Sequence, residues 1–262
     1  MSDSQTPEFE TNNGFLELIQ PRDEKYIEEL EEDIFDHGCH DAVCVWGNIL
    51  IDGHLRYSIC KKWDIRFNIR RLIFQSRDEA ESYLCAEQLK RTDLTSEYKK
   101  YLIGRLFRAD MNAASAAFLR EHPEKQTNAD GRISQKYVQK TEIATIIGKE
   151  YNFGFSTVTK YDVYARALDE IRAKGPEITN KILNGNLRVS HENVIELSRL
   201  PIEDINGLKR LLESGSIDRI GYSQLRHEDY RQGSLITADA DGKGKMPKPE
   251  SNRCPLPTRM QN

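Results

Sequence analysis

The sequence predicts an α+β domain followed by an all-α domain. Three observations predict this. Short apolar runs bounded by turn residues alternate with helical patterns over residues 15–107. A polar stretch with Pro123 and Gly131 interrupts the chain at 122–131. Only helical periodicity follows, from about residue 134 to 214. At 262 residues the chain is long enough for two modest domains with cores of their own.

Taken in order, residues 1–14 read as a disordered arm. Residues 15–19 form a short extended segment that Pro21 stops. Ile27, Leu30 and Ile34 recur at helical spacing, which predicts a helix over 24–35. Gly38 ends it, because glycine tolerates the left-handed position after a helix. Residues 43–46 and 49–51 are strands joined by Gly47-Asn48 as a hairpin. Asp52-Gly53 breaks the second strand, and 54–62 is a helix. A third strand spans 67–74 and a further helix 78–89. Thr95 caps the next helix, with Ser96 and Glu97 in its first turn. The first domain thus covers 15–108. Residues 109–133 read as a linker with a short helix at 113–119. The helical domain covers 134–215, and 216–262 is a mostly disordered tail, poor in large apolar residues after Ile236. No leucine heptad supports a coiled coil.

Charged residues make up 31% and hydrophobic residues 38% of the chain, as in an ordinary soluble protein. No apolar run approaches the roughly 20 residues of a membrane-spanning helix. The first residues lack the basic and apolar regions of a secretory signal, so a cytoplasmic location is expected. Five cysteines without a Cys-x-x-Cys pair fit scattered thiols better than a disulfide framework. His37, Cys39, His40 and Cys44 invite a zinc reading, yet their spacing matches no common structural site. A turn followed by a buried strand is the simpler account. The net charge of −4 hides an uneven distribution. Residues 8–36 are acidic, whereas 56–108 carry the clusters Arg70-Arg71, Lys90-Arg91 and Lys99-Lys100. Such clusters suit either a nucleic-acid-facing surface or a solvated mixed-charge one.

Three motifs carry chemistry. The first is Asp52-Gly53-His54-Leu55-Arg56-Tyr57, between a strand and a helix. A glycine there lets backbone N–H groups converge at the helix N-terminus, a geometry that binds anions. Arg56 can reach back to a phosphate with two parallel hydrogen bonds, and His54 adds ring nitrogens. The alternative is a structural turn with Asp52 as helix cap. The second motif is Glu87-Gln88-Leu89-Lys90-Arg91-Thr92-Asp93-Leu94, where one helix ends and the next is capped. The third is Glu142-Ile143-Ala144-Thr145-Ile146-Ile147-Gly148, followed by Ser156-Thr157-Val158-Thr159-Lys160-Tyr161. It reads as a helix–turn–helix with Ser156 capping the second helix and an unusually long connection over 149–155. Val158, Tyr161 and Ala165 would pack inward. Ser156, Thr157, Thr159 and Lys160 would lie nearest DNA, with Lys181 and Arg188 as further phosphate contacts. An ordinary helical hairpin is the alternative.

The order of these motifs resembles the ParB partition-protein family within the ParB/sulfiredoxin superfamily. It runs Leu18-Ile19-Gln20-Pro21-Arg22, a helix, a hairpin ending in Gly-x-x-Arg-Tyr, and then Glu-x-x-x-Arg-x-x-Leu. The resemblance spans about residues 15–107 and implies a ParB/sulfiredoxin-like domain followed by the helix–turn–helix domain. It implies DNA binding in plasmid or chromosome partition or in transcriptional regulation, with CTP and Mg²⁺ as ligands. Gly53 and Arg56 match one of the family's phosphate motifs, and Glu87 and Arg91 match the other. His54 stands where the family has Glu, Leu55 where it has Arg, and Gln88 where Asn is usual. The nucleotide set is then Arg22, Gly53, His54, Arg56, Glu87 and Arg91, with Glu87 as a Mg²⁺ ligand. In the sulfiredoxin branch the catalytic Cys falls on His54, so that chemistry is not expected. A homodimer, a partition ATPase partner and association with nucleoid or plasmid are further implications. A ParB-type nuclease or nucleotide hydrolase, and a scaffold that binds no nucleotide, are the competing readings.

Overall fold

The computed structural model describes residues 7–122, 140–215, 219–221 and 225. Its first element falls within the expected disordered arm. Strand β1 (Glu10–Thr11) pairs in parallel with Ile49 and Leu50 of β3 (Ile49–Asp52). Phe9 anchors this edge by packing against Tyr57. The 15–19 segment, expected to be extended, is instead a helical turn, α1 (Asn13–Leu16), capped by the Asn12 side chain. Winding puts both Phe15 and Leu18 at 0% exposure on one face, which an extended chain with period two could not do.

Asp23 caps α2 (Glu24–His37), and Gly38 ends it at φ 83°. Strand β2 (Cys39–Trp46) is longer than expected and makes the anticipated hairpin with β3 through Gly47 at φ 60°. Helix α3 (His54–Trp63) leads to β4 (Phe67–Leu72), which lies parallel to β2. The sheet order is β1-β3-β2-β4. Val43, Val45 and Leu50 pack on one face with Tyr57 of α3. Ile51 turns to the other face, toward Ala80 and Leu84 of α4 (Arg77–Leu89).

The expected linker is the clearest departure. Thr95 caps α5 as expected, but the helix runs unbroken over Ser96–Glu121. Between Arg105 and His122 there is neither Gly nor Pro, and five alanines fall between 109 and 117. Alanine is the strongest helix former, so propensity carries the helix where the apolar stripe thins. Residues 123–133 of the expected linker, and most of the expected tail, lie outside the described residues.

The helical part comprises α6 (Lys140–Tyr151), α7 (Phe155–Lys174), α8 (Pro176–Leu183), α9 (His191–Ser198) and α10 (Ile202–Glu213). A two-residue parallel ladder joins β5 (Arg188–Val189) to β6 (Arg219–Ile220). The connection between α6 and α7 is only 152–154, shorter than the sequence suggested, because α6 continues through Tyr151. Asn152 makes the turn at φ 61°. Gly154, rather than Ser156, occupies the cap of α7.

One hydrophobic cluster runs from Phe15, Leu18 and Ile51 through α5 to Ile171, Val194 and Leu208. The two parts therefore share a core with α5 at its centre. Gly104 sets the closest approach, since a Cβ there would overlap the Tyr161 carbonyl of α7. Beside it Arg105 donates to Glu81 (2.7 Å) and Asp169 (3.1 Å), and Arg108 donates to Asp162 (3.0 Å) and Asp169 (2.8 Å). Tyr101 Oη also donates to Asp169 (2.8 Å), and Arg172 bridges Tyr101 (2.7 Å) and Glu17 of the α1 region (3.1 Å). Burial raises the Tyr101 hydroxyl well above its ordinary value, keeping it a neutral donor.

Candidate functional site

Gly53 sits at φ 88°, ψ 27°, between β3 and α3. This left-handed conformation is easy for glycine and costly for other residues. The N-terminus of α3 has no side-chain cap, so Asp52 does not serve as one. Its carboxylate instead accepts from Arg56 Nη2 at 3.2 Å, and the same nitrogen donates to the Ala42 carbonyl at 3.3 Å. The Arg56 guanidinium lies back across Gly53: a Cβ at that position would be 3.1 Å from Nη2. Arg56 Nε is buried without a hydrogen-bond partner.

His54 follows in the first turn of α3. Both of its ring nitrogens are buried without a partner. Burial lowers its pKa, with Asp52 acting weakly the other way, so the neutral ring is favoured. A neutral imidazole offers one donor and one acceptor. Buried polar atoms normally find partners, and unpaired ones are costly. Arg56 Nε and the one protonated nitrogen of His54 are unpaired donors at an uncapped helix start, an arrangement suited to an oxygen-rich anion.

Across from this turn, Arg91 follows the end of α4. Its Nε and Nη2 hold the Asp93 carboxylate at 3.1 and 2.7 Å, and Nη1 donates to the Gln20 carbonyl (2.8 Å) and to Gln88 Oε1 (2.9 Å). Arg22 joins Asp93 at 2.5 Å while its guanidinium lies 4.2 Å from the Tyr26 ring centroid. The Arg91 hydrogen bonds, together with the nearby Arg22 charge, pull the Asp93 pKa down to about 2. Gln20 completes the clasp, donating to the Asp93 carbonyl (3.0 Å) and accepting from the Thr95 N–H (2.9 Å). Glu87 pairs with Lys90 at 2.6 Å.

These segments enclose a cleft of about 480 Å³. Arg22, Gly53, His54, Arg56, Glu87 and Arg91, the whole set picked out in the sequence, all line it. Asp93 and Gln20 were not anticipated. Asp93, two residues beyond Arg91, was readable only as a turn residue. Gln20 stands within the Leu18-to-Arg22 motif, but its role as a clasp was not readable there, because it depends on a loop some seventy residues away in sequence. Glu87 contributes one carboxylate. Among the described residues no group of three or more His, Cys, Asp or Glu could hold a metal ion by itself. Mg²⁺ commonly takes one or two carboxylates with ligand phosphates supplying the rest, so Glu87 fits that role only alongside a phosphate ligand.

In the helical part, Val158 and Ala165 of α7 are fully buried, and Tyr161 packs against Phe153. Ser156 and Lys160 are exposed, while Thr157 and Thr159 are half-buried. Thr159 Oγ1 is turned back to the Ser156 carbonyl at 3.0 Å. Burial lowers the pKa of His191, and the charges of Lys100 and Lys160 act in the same direction. Lys181 is half-buried on α8, and Arg188 is exposed in register with Arg219 on the β5–β6 ladder. Among the described residues no helix is long and apolar enough to cross a membrane.

No family model matches this sequence, and no curated protein matches it. The chain is similar to solved structures of pNOB8-like ParB N-domains. One, in a C2221 crystal form, is 18% identical, with 86% of this chain and 91% of that chain covered and a TM-score of 0.46. Another is 16% identical, with 86% and 85% covered and a TM-score of 0.45.

Proposed function

We propose that this chain is a ParB-like DNA-binding protein whose α+β part binds a nucleotide through its phosphates. One observation carries the reading. Six residues chosen from motif order alone, in three segments of the sequence, line a single cleft. Arg56 Nε and the His54 nitrogens supply unpaired polar atoms there. In this reading Arg56, His54 and the start of α3 hold phosphate oxygens. Arg22 and Arg91 add positive charge from the opposite wall, and Glu87 holds Mg²⁺ against the phosphates. CTP is the nucleotide the sequence resemblance implies.

DNA binding is supported by the three-residue connection between α6 and α7 and by exposed Ser156 and Lys160 at the start of α7. A role in partition or in transcriptional regulation, a homodimer and a partner ATPase belong to the same proposal. The test is a titration of labelled duplex DNA at several salt concentrations, with and without CTP, ATP or GTP. Specific binding should weaken steeply with salt, and Lys160→Ala should lower the salt slope by about one. Absence of binding even at low salt would rule out the DNA reading.

A further inference from the structure

A second cleft, of about 500 Å³, lies away from the one lined by Gly53 and Arg56. Its walls come from the start of α5 (Ser96, Glu97), the turn after α8 (Gly185), the cap of α9 (Ser190) and the β5–β6 ladder (Arg188, Arg219). Arg188 and Arg219 are register partners in that ladder. Both are exposed, and neither forms an ion pair among the described residues. Like charges placed directly across a ladder repel. A two-residue ladder has little hydrogen bonding to offset this, so the pair is an arrangement that an anion would relieve.

The acidic group in the cleft does not relieve it. Glu97 Oε1 accepts from Lys100 at 2.7 Å, and Oε2 accepts from the Tyr164 hydroxyl. Its charge is therefore spent away from the arginines. The hydroxyls of Ser96 and Ser190 border the same space, Ser190 being bound to the Asn193 N–H. Two arginines that face each other in register and line one cleft can give a phosphate several charge-assisted hydrogen bonds.

We propose that this cleft is a second phosphate site, with Arg188 and Arg219 as its clamp. It is separate from the nucleotide cleft. The phosphate belongs either to a DNA backbone, an arm that rests on the DNA-binding reading above, or to a free phosphate compound. Tyr164 of α7, one turn beyond Lys160, donates to Glu97 of the cleft wall and stacks on His191 at 5.1 Å, which places the cleft beside the expected DNA-facing helix and favours the backbone source.

The test compares the full-length chain with an Arg188→Ala/Arg219→Ala double variant and with Arg56→Ala, using labelled duplex DNA and, separately, inorganic pyrophosphate. The double variant removes exposed, mutually repelling charges, so it should melt no lower than the parent. For a DNA source, duplex binding falls about tenfold at low salt and the salt slope falls by about one. For a free source, pyrophosphate binding persists in Arg56→Ala and, in that background, falls about tenfold when Arg188→Ala/Arg219→Ala is added, whether or not DNA binds. If DNA binds the parent and the double variant equally, and adding the double substitution to Arg56→Ala leaves pyrophosphate binding unchanged, the second site is overturned while DNA binding stands. If the parent binds neither ligand, both proposals fail.

Discussion

Arg56 and Arg91 show how differently two arginines of one cleft can be employed. Each hydrogen-bonding nitrogen of Arg91 already serves the clasp made by Asp93, Gln20 and Gln88. Arg56 keeps Nε unpaired beside Gly53. Arg56 is therefore the residue whose loss should act on ligand binding, whereas loss of Arg91 should first loosen the wall. His54 gives a prediction in pH. Its ordinary pKa is 6.5 and burial lowers it in the folded chain. Above 6.5 both folded and unfolded forms are neutral, and its contribution to stability is fully present. As pH falls from 6.5 through the lowered value, the unfolded chain takes up the proton first, and stability is lost. Thermal melts should therefore show the parent losing stability with falling pH faster than His54→Gln; parallel curves would show that the ring is not held neutral by burial. His191 shifts in the same direction, so only this difference isolates His54. At this scale Gly53, His54 and Arg56 were legible because they lie within four positions in sequence. Asp93 and Gln20 were not, because their meaning is created by contact between distant loops.

Among the elements, those with a marked cap or turn residue were legible: α2 ends at Gly38, α5 begins at Thr95, and the hairpin turns at Gly47. The misread ones were elements whose evidence is propensity or pairing. The alanine-rich end of α5 lacks a strong apolar stripe. The ladders of β1 and of β5–β6 are two residues each, too short for any alternation to show. Two glycines inside helices have roles that composition alone would not assign. At Gly104 a Cβ would meet the Tyr161 carbonyl, and at Gly148 it would meet the Phe153 carbonyl. Alanine normally stabilises a helix interior by about 1 kcal/mol over glycine. Here backbone must give way, so Gly104→Ala and Gly148→Ala should each destabilise by about 1–3 kcal/mol in denaturant titrations. Gly148→Ala should also weaken DNA binding, because it displaces the turn that aims α7. Stabilisation by either substitution would mean that the helices do not approach as closely as described.

For the molecule as a whole, α5 joins what the sequence divided. Its apolar face belongs to the shared core, and its polar edge holds the Arg105, Arg108 and Asp169 network. Asp169 is half-buried, and its loss leaves Arg105 with Glu81 and Arg108 with Asp162, so Asp169→Ala should cost about 1.5–3 kcal/mol, the worth of a charge-assisted hydrogen bond. The loss should appear in unfolding of both parts together, read by probes in each; two separate transitions would contradict a shared core. The segment from Arg91 to Ser96 has a comparable joining position. Arg91 lines the cleft built on Gly53 and Arg56, Thr95 Oγ1 donates to the Leu183 carbonyl of α8, and Ser96 lines the second cleft. Such long-range junctions arise from which surfaces meet, and local sequence pattern does not carry them.

The central claim is that the cleft built on Gly53 and Arg56 binds nucleotide phosphate. Calorimetric titration of the full-length chain with CTP in the presence of Mg²⁺, repeated with Arg56→Ala, tests it most directly. The account predicts a saturable single-site heat for the parent. For the variant it predicts an affinity lower by about tenfold or more, the worth of a charge-assisted hydrogen bond of about 1.5–3 kcal/mol. No heat with CTP, ATP or GTP, or equal affinity in parent and variant, would contradict it.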